Sequence, residues 1–115
     1  MTLEELSTKL DIDVQGALDR FAGHELIYLK YLRRLCTDEN VQAFSNIEII
    51  SDEQKLLNLA HTLKGTTANL GLYSLSSAYS YIVDAIRDKK PDIIPMLYQH
   101  ALDLQRKTLE ILRSL

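Results

Sequence analysis

The chain has 115 residues, which is enough for one domain with a single modest core. Hydrophobic residues make up 46% and charged residues 25%, as in ordinary globular proteins, and the net charge of −3 includes no basic block that would favour nucleic acid as the main partner. The single cysteine excludes an internal disulfide, no Cys/His spacing is typical of a metal site, and no apolar run approaches the roughly 20 residues of a membrane span. We therefore expect residues 1–115 to form one cytoplasmic domain without direct membrane insertion.

The first 23 residues predict two short helices. Thr2 followed by Glu5 is typical of a capping box that begins a helix reaching about Leu10. Asp13 is a second capping residue. Its helix is expected to end at Gly23, because glycine suits the left-handed position after a helix.

A longer helix is predicted to begin at His24 or Glu25, to run through residue 35 and to continue, with a bend, to about Phe44. Residues 45–50 have no partner strand in the sequence and are predicted to be a connection. Four tyrosines of the chain are expected at the edge of the core with a polar tip: Tyr28, Tyr31, Tyr79 and Tyr98.

Two further helices are predicted on either side of a glycine. Ser51 is expected to cap the first, with Asp52 and Glu53 in its first turn, where the helix dipole favours acids. This helix is expected to run to about residue 70, with Gly71 as a structural C-cap. The next is predicted to begin at residue 73 or 74 and to end at Lys89-Lys90-Pro91, because proline does not continue a helix.

The last helix is expected to have Asp92 as its cap and Pro95 in its first turn, where amides have no intrahelical partner. Spacings of three and four residues predict a seam that faces a bundle core: Ile94, Leu97, Ala101, Leu104, Thr108 and Ile111. Four longer helices joined by short loops predict an all-α fold, an antiparallel four-helix bundle with the additional short N-terminal helices as a lid.

The predicted helix over residues 51–70 contains the strongest functional signal. On a helical wheel of about 100° per residue, one apolar stripe is formed by Leu56, Leu59, Leu63, Thr67 and Leu70. His61 points away from that stripe. Lys64 and Gly65, three and four residues further on, flank His61 on the outward side. Leu57 and Ala68 complete the same face as candidate docking residues, although single exposed leucines are also common without a function.

An outward histidine with these neighbours is suited to carrying a phosphoryl group. Imidazole is nucleophilic near neutral pH, because a large fraction of it is uncharged. Lys64 can neutralise the charge of a transferring phosphoryl group, and Gly65 leaves space for that group and for a docking partner. A glycine within a helix costs about 1 kcal/mol relative to alanine, so it indicates a requirement. His24 and His100 lack such neighbours and are expected at the surface or at a boundary.

The segment 60–71 resembles the signature of the histidine-containing phosphotransfer (HPt) family, with Ala-His-Thr-Leu-Lys-Gly followed by Asn-Leu-Gly. A weaker similarity covers most of residues 11–113, including the Ile82-x-x-Ala85-x-Arg87 pattern. Val83 departs from the family, because many members have an acidic residue before the Ala-x-Arg pair. We expect this departure to alter surface contacts and to leave the chemistry intact.

The resemblance implies a helical bundle in which His61 is phosphorylated and relays the phosphoryl group to and from receiver-domain aspartates in multistep two-component signalling. It implies response-regulator receiver domains or a hybrid histidine kinase as partners. It further implies that Mg²⁺ belongs to the receiver and that this chain has no cofactor. The sequence contains no nucleotide-binding loop, so we expect a phosphoryl carrier rather than an enzyme.

Two alternatives stay open at this level. The chain could be a helical adaptor that binds receiver domains without carrying phosphate, although the presence of both His61 and Lys64 argues against it. It could also be the HPt domain of a larger hybrid sensor kinase instead of a free-standing protein.

Overall fold

The computed structural model describes residues 1–48 and 51–115; Ile49 and Ile50 of the predicted connection lie outside the described residues. Every regular element within the described ranges is helical, which confirms the predicted all-α fold. The helices in chain order are α1 (Leu3–Lys9), α2 (Val14–Arg20), α3 (Glu25–Leu35), α4 (Glu39–Ser45), α5 (Glu53–Asn69), α6 (Tyr73–Arg87), a 3-10 turn (Pro91–Ile93) and α7 (Ile94–Leu112).

The longer helices form an antiparallel bundle. α5 and α6 pack along each other and are joined only by residues 70–72, a length typical of two antiparallel helices. α7 packs on α6 and also contacts α4. Two side chains of α7 donate to carbonyls of α4: Tyr98 to Phe44 at 2.6 Å and Gln105 to Val41 at 3.5 Å. The short N-terminal helices cover the bundle, with α1 against α7 and α2 against α3.

The core contains tyrosines whose hydroxyl groups are all bonded. Three of the four tyrosines predicted at the core edge are buried, and each donates a hydrogen bond: Tyr28 to the Leu70 carbonyl (2.7 Å), Tyr79 to Gln105 Oε1 (2.6 Å) and Tyr98 to the Phe44 carbonyl (2.6 Å). Burial raises the pKa of Tyr28 and of Tyr79 well above the ordinary tyrosine value. Tyr31 differs from the other three, because 42% of it is exposed.

Thr2 and Asp13 cap the first two helices, as predicted. Thr2 and Asp13 each accept a hydrogen bond from the amide three residues further on, at 3.1 and 3.0 Å. α2 ends at Arg20, and the chain then turns through Ala22 and Gly23, which have φ values of 53° and 76°. The turn predicted at Gly23 therefore involves two left-handed residues.

Two other capping predictions are wrong. Asp52 rather than Ser51 caps α5, because its carboxylate accepts from the amide three residues further on at 3.1 Å. The Ser51 hydroxyl is instead bonded to the Glu48 carboxylate at 3.2 Å. Asp92 lies inside the 3-10 turn, so α7 begins after it, at Ile94, without a side-chain cap.

The helix predicted to continue with a bend to Phe44 is divided in two. α3 ends at Leu35 and α4 begins at Glu39. Asp38 causes the division, because its carboxylate accepts from the amides of Asn40 (2.8 Å) and Val41 (3.1 Å) and so begins a new helix.

The buried stripe of α7 is rotated relative to the predicted seam. Leu97, Leu104 and Ile111 are only half-buried. The buried residues are Ile94, Tyr98, Ala101, Leu102, Gln105, Thr108, Leu109 and Leu112. Polar Tyr98 and Gln105 are inside because hydrogen bonds to α4 satisfy them, a pairing that hydrophobic spacing alone does not reveal.

Candidate functional site

α5 has one buried face and one outward face. Its buried residues are Leu56, Leu59, Ala60, Leu63 and Thr67. His61 is exposed on the opposite side, as the helical wheel predicted, and Gly65 is exposed one turn further on. Lys64 is half-buried. Because residues three and four apart on a helix have Cβ atoms about 5–6 Å apart, the imidazole, the lysine stem and the glycine backbone form one continuous patch.

Gly65 leaves the approach to His61 open. Apart from its chain neighbours and the adjacent backbone of α5, a Cβ atom added at Gly65 would meet no heavy atom within 4 Å in residues 1–48 and 51–115. Close packing against another of the described helices is therefore not the reason for this glycine. Its cost to the helix, about 1 kcal/mol relative to alanine, is consistent with a requirement for space at the surface.

The backbone of Lys64 is bonded to α6, while its ammonium group has no acidic neighbour among the described residues. The hydroxyl of buried Ser76 on α6 donates to the Lys64 carbonyl at 2.8 Å, which fixes this turn of α5 against α6. Among the residues that the structure describes, no acidic group lies within 4.0 Å of the Lys64 ammonium. The cation can therefore pair with an anion bound beside His61.

The other predicted residues of α5 differ in exposure. Leu57 and Ala68 are half-buried, and Leu57 packs partly on the core, so both offer a partner less surface than predicted. Gly71 follows α5 with φ of 82°, and a Cβ atom there would lie 2.6 Å from the Asp13 carbonyl oxygen. Conformation and space both require glycine at that position.

An apolar groove lies beside Gly65 and was not predicted from the sequence. It is open to solvent, with a volume of about 940 Å³. Its walls include Phe21, Ile27, Tyr31 and Arg34 on one side and Gly65, Thr66 and Asn69 of α5 on the other. The Phe21 and Tyr31 rings are 5.5 Å apart, and the Arg34 guanidinium lies 5.3 Å from the centre of the Tyr31 ring.

The sequence did contain a signal for this groove. On α3 the buried stripe is Tyr28, Leu32 and Leu35. Ile27 and Tyr31 form a second apolar stripe beside it, and they are 45% and 42% exposed. The apolar arc of α3 is thus wider than its contact with the core, and that excess width would have indicated an exposed apolar surface.

The remaining predictions concern residues away from α5. Val83 is fully buried, so the expectation that it alters surface contacts is wrong. The acidic residue directly before Ala85 is Asp84, and it is exposed. His24 and His100 are exposed, as expected.

The arrangement on α5 is an exposed nucleophile with a neighbouring cation and unobstructed access. Such a site suits a reactive group presented on the surface of another macromolecule. In residues 1–48 and 51–115, no three His, Cys, Asp or Glu side chains come together as a metal site requires. No helix in the described part of the chain is long and apolar enough to cross a bilayer. Comparison of the chain with protein-family models, curated proteins and solved structures gives no match.

Proposed function

We propose that this chain is a histidine phosphotransfer domain, which relays a phosphoryl group to and from the aspartates of receiver domains in a multistep two-component phosphorelay. The observation that carries the proposal is the exposed His61 with Lys64 and open Gly65 on the same face of α5. The similarity of residues 60–71 to the HPt signature supports the same function. As that resemblance implies, the relay is cytoplasmic, and its partners are response regulators or a hybrid histidine kinase.

The transfer step is a displacement at phosphorus. A lone pair on an imidazole nitrogen of His61 forms an N–P bond, and the P–O bond of the receiver's aspartyl phosphate breaks. The aspartate leaves as a carboxylate with the electron pair of that bond, and the other imidazole nitrogen releases its proton to solvent. Lys64 offsets the charge on the phosphoryl oxygens. The Mg²⁺ for the reaction is supplied by the receiver.

Docking takes place on a surface with two halves. The first is the outward face of α5 around His61 and Gly65. The second is the groove wall formed by Phe21, Ile27 and Tyr31, which lies next to Gly65. We call these five residues the docking surface. Its aromatic and aliphatic side chains are of the kind that anchor protein interfaces, and the glycine allows the partner's backbone to approach.

The proposal is tested by incubating the chain with a panel of phosphorylated receiver domains. Label should move to this chain in a form that is stable in base and labile in acid, as expected for phosphohistidine. An adaptor without carrier function would bind one of these receivers and acquire no label. Failure of every receiver to transfer label would overturn the proposed function.

A further inference from the structure

Four consecutive main-chain carbonyls at the end of α5 accept hydrogen bonds from residues 13–28. The pairs are Arg20 Nη2 to Ala68 (3.0 Å), Arg20 Nε to Asn69 (3.1 Å), Tyr28 Oη to Leu70 (2.7 Å) and the Asp13 amide to Gly71 (2.9 Å). The last carbonyls of a helix have no intrahelical donor, so donors from elsewhere fix the position of the helix end.

Arg20 supplies two of these four bonds and also contacts α6. Its Nη1 donates to the Tyr73 hydroxyl at 3.3 Å, and its guanidinium carbon lies 6.0 Å from the centre of the Tyr73 ring. The planar guanidinium has donors pointing in several fixed directions, which allows one side chain to bond two carbonyls and a hydroxyl together. Arg20 thereby joins α2 to the adjoining ends of α5 and α6.

The residue after Arg20 belongs to the docking surface. The Phe21 ring lies 5.4 Å from the ring of buried Tyr28 and 5.5 Å from that of Tyr31. A shift of Arg20 would therefore move the groove wall relative to α5. Arg20 thus connects the Phe21 side of the groove wall to α5, next to the bonds that Tyr28 and Asp13 make to the Leu70 and Gly71 carbonyls.

We propose that Arg20 is a positioning residue, which fixes the position of the groove wall relative to the face of α5 that bears His61. The inference rests on the proposed function, because it names the residue that keeps the receiver's docking surface in shape. Arg20 is bonded at Ala68, seven residues and about 10 Å along the helix from His61. It touches no reacting atom, so its loss changes receiver binding and leaves the chemical step intact.

The test compares Arg20→Gln and Arg20→Lys with the matched control Arg33→Gln, an exposed arginine of α3 outside the groove. Each variant is titrated with an unphosphorylated receiver, and single-turnover transfer is measured at saturation. Arg20→Gln should raise the receiver Kd about fivefold or more, with the saturating rate within about twofold of wild type. Arg20→Lys should raise Kd as well, because one ammonium group does not replace the planar donors.

Two results would overturn the inference: an unchanged Kd in Arg20→Gln, whatever its saturating rate, or an equal rise of Kd in Arg33→Gln. The second result would show that net charge, and not position, controls binding. A merely structural role would lower the melting temperature and leave Kd unchanged at temperatures where the variant is folded.

Amide hydrogen exchange of the free protein measures how firmly the turn after Arg20 is held, without a receiver. In Arg20→Gln the amides of Phe21, Gly23 and His24 should exchange about fivefold faster or more, while those of residues 59–63 exchange as in wild type. Unchanged exchange at the three amides would overturn the inference by itself. If no receiver transfers label to the wild-type chain, the proposed function fails and the docking role of Arg20 fails with it.

Discussion

Gly65 lies one turn from His61, and the space above it is open to solvent. Gly65→Gln should leave thermal stability unchanged or raise it, by up to about 1 kcal/mol, because glutamine is the better helix former. The long side chain would obstruct the receiver, so we expect transfer to slow at least about tenfold, or about 1.4 kcal/mol. Melting curves and single-turnover kinetics measure the two effects, with Glu110→Gln, at an exposed position of α7, as the control. Transfer at the wild-type rate would show that Gly65 is not part of the approach.

Lys64 precedes Gly65 in α5, and its proposed contribution beside His61 is charge rather than space. Lys64→Ala should slow saturating transfer about tenfold, because the phosphoryl group loses the neighbouring cation that this chain supplies. Its Kd for the unphosphorylated receiver should change by less than about twofold, since there is no phosphoryl group to bind. Lys55→Ala, an exposed lysine of the same helix, is the matched control. A rise in Kd as large as the fall in rate would make Lys64 a docking residue instead.

Among the elements, α3 contributes apolar surface that the core does not use. Tyr31 is 42% exposed, lines the groove and is the proposed aromatic anchor of the docking surface. We expect Tyr31→Ser to raise the receiver Kd about tenfold, or about 1.4 kcal/mol. Tyr81→Ser is the matched control, because Tyr81 is 56% exposed on α6, away from the groove. Equal effects of the two substitutions on receiver binding would exclude the groove as a docking site.

Helical periodicity predicts which face of a helix is buried, but it does not predict which helices meet. The two faces of α5, and thus the exposure of His61, could be predicted because the helical period is local information. The exposed apolar stripe of α3 could have been predicted in the same way, but its position beside α5 could not. That position depends on long-range contacts such as the bond from Arg20 to the Asn69 carbonyl, 49 residues further along the chain. The predicted core-facing seam of α7 was wrong because it too depends on contacts between distant parts of the chain. Gln105 is buried only because groups on α4 and α6 satisfy it.

Across the whole molecule, that buried amide connects three helices. Gln105 accepts from the Tyr79 hydroxyl at 2.6 Å and donates to Ser45 Oγ at 2.8 Å. Tyr79→Phe removes the donor to a buried oxygen and should lower the free energy of unfolding at pH 7 by about 1–3 kcal/mol. Urea denaturation at pH 7 measures this loss. A variant as stable as wild type would show that the network contributes nothing to stability.

The same tyrosine makes stability depend on alkaline pH. Burial, with a smaller effect of the Asp38 charge, raises the pKa of Tyr79 above its ordinary value of 10.0. Above about pH 10 the unfolded chain releases this proton while the folded protein retains it, so the free energy of unfolding falls as pH rises. Between about pH 9 and pH 11 we expect Tyr79→Phe to lose less stability than wild type. Parallel pH curves for the two proteins would contradict this expectation.

A phosphoryl group carried by this chain should be attached to the imidazole of His61, and its position can be determined after transfer from a receiver. Wild type and His61→Gln are incubated with a phosphorylated receiver, and the modified residue is identified by mass spectrometry under basic conditions. We expect one phosphoryl group on His61 of the wild type. The variant should give no label, with a helical spectrum and melting curve close to those of wild type, because an exposed side chain contributes little to stability. Label retained in the variant, or mapped to His24 or His100, would contradict the assignment.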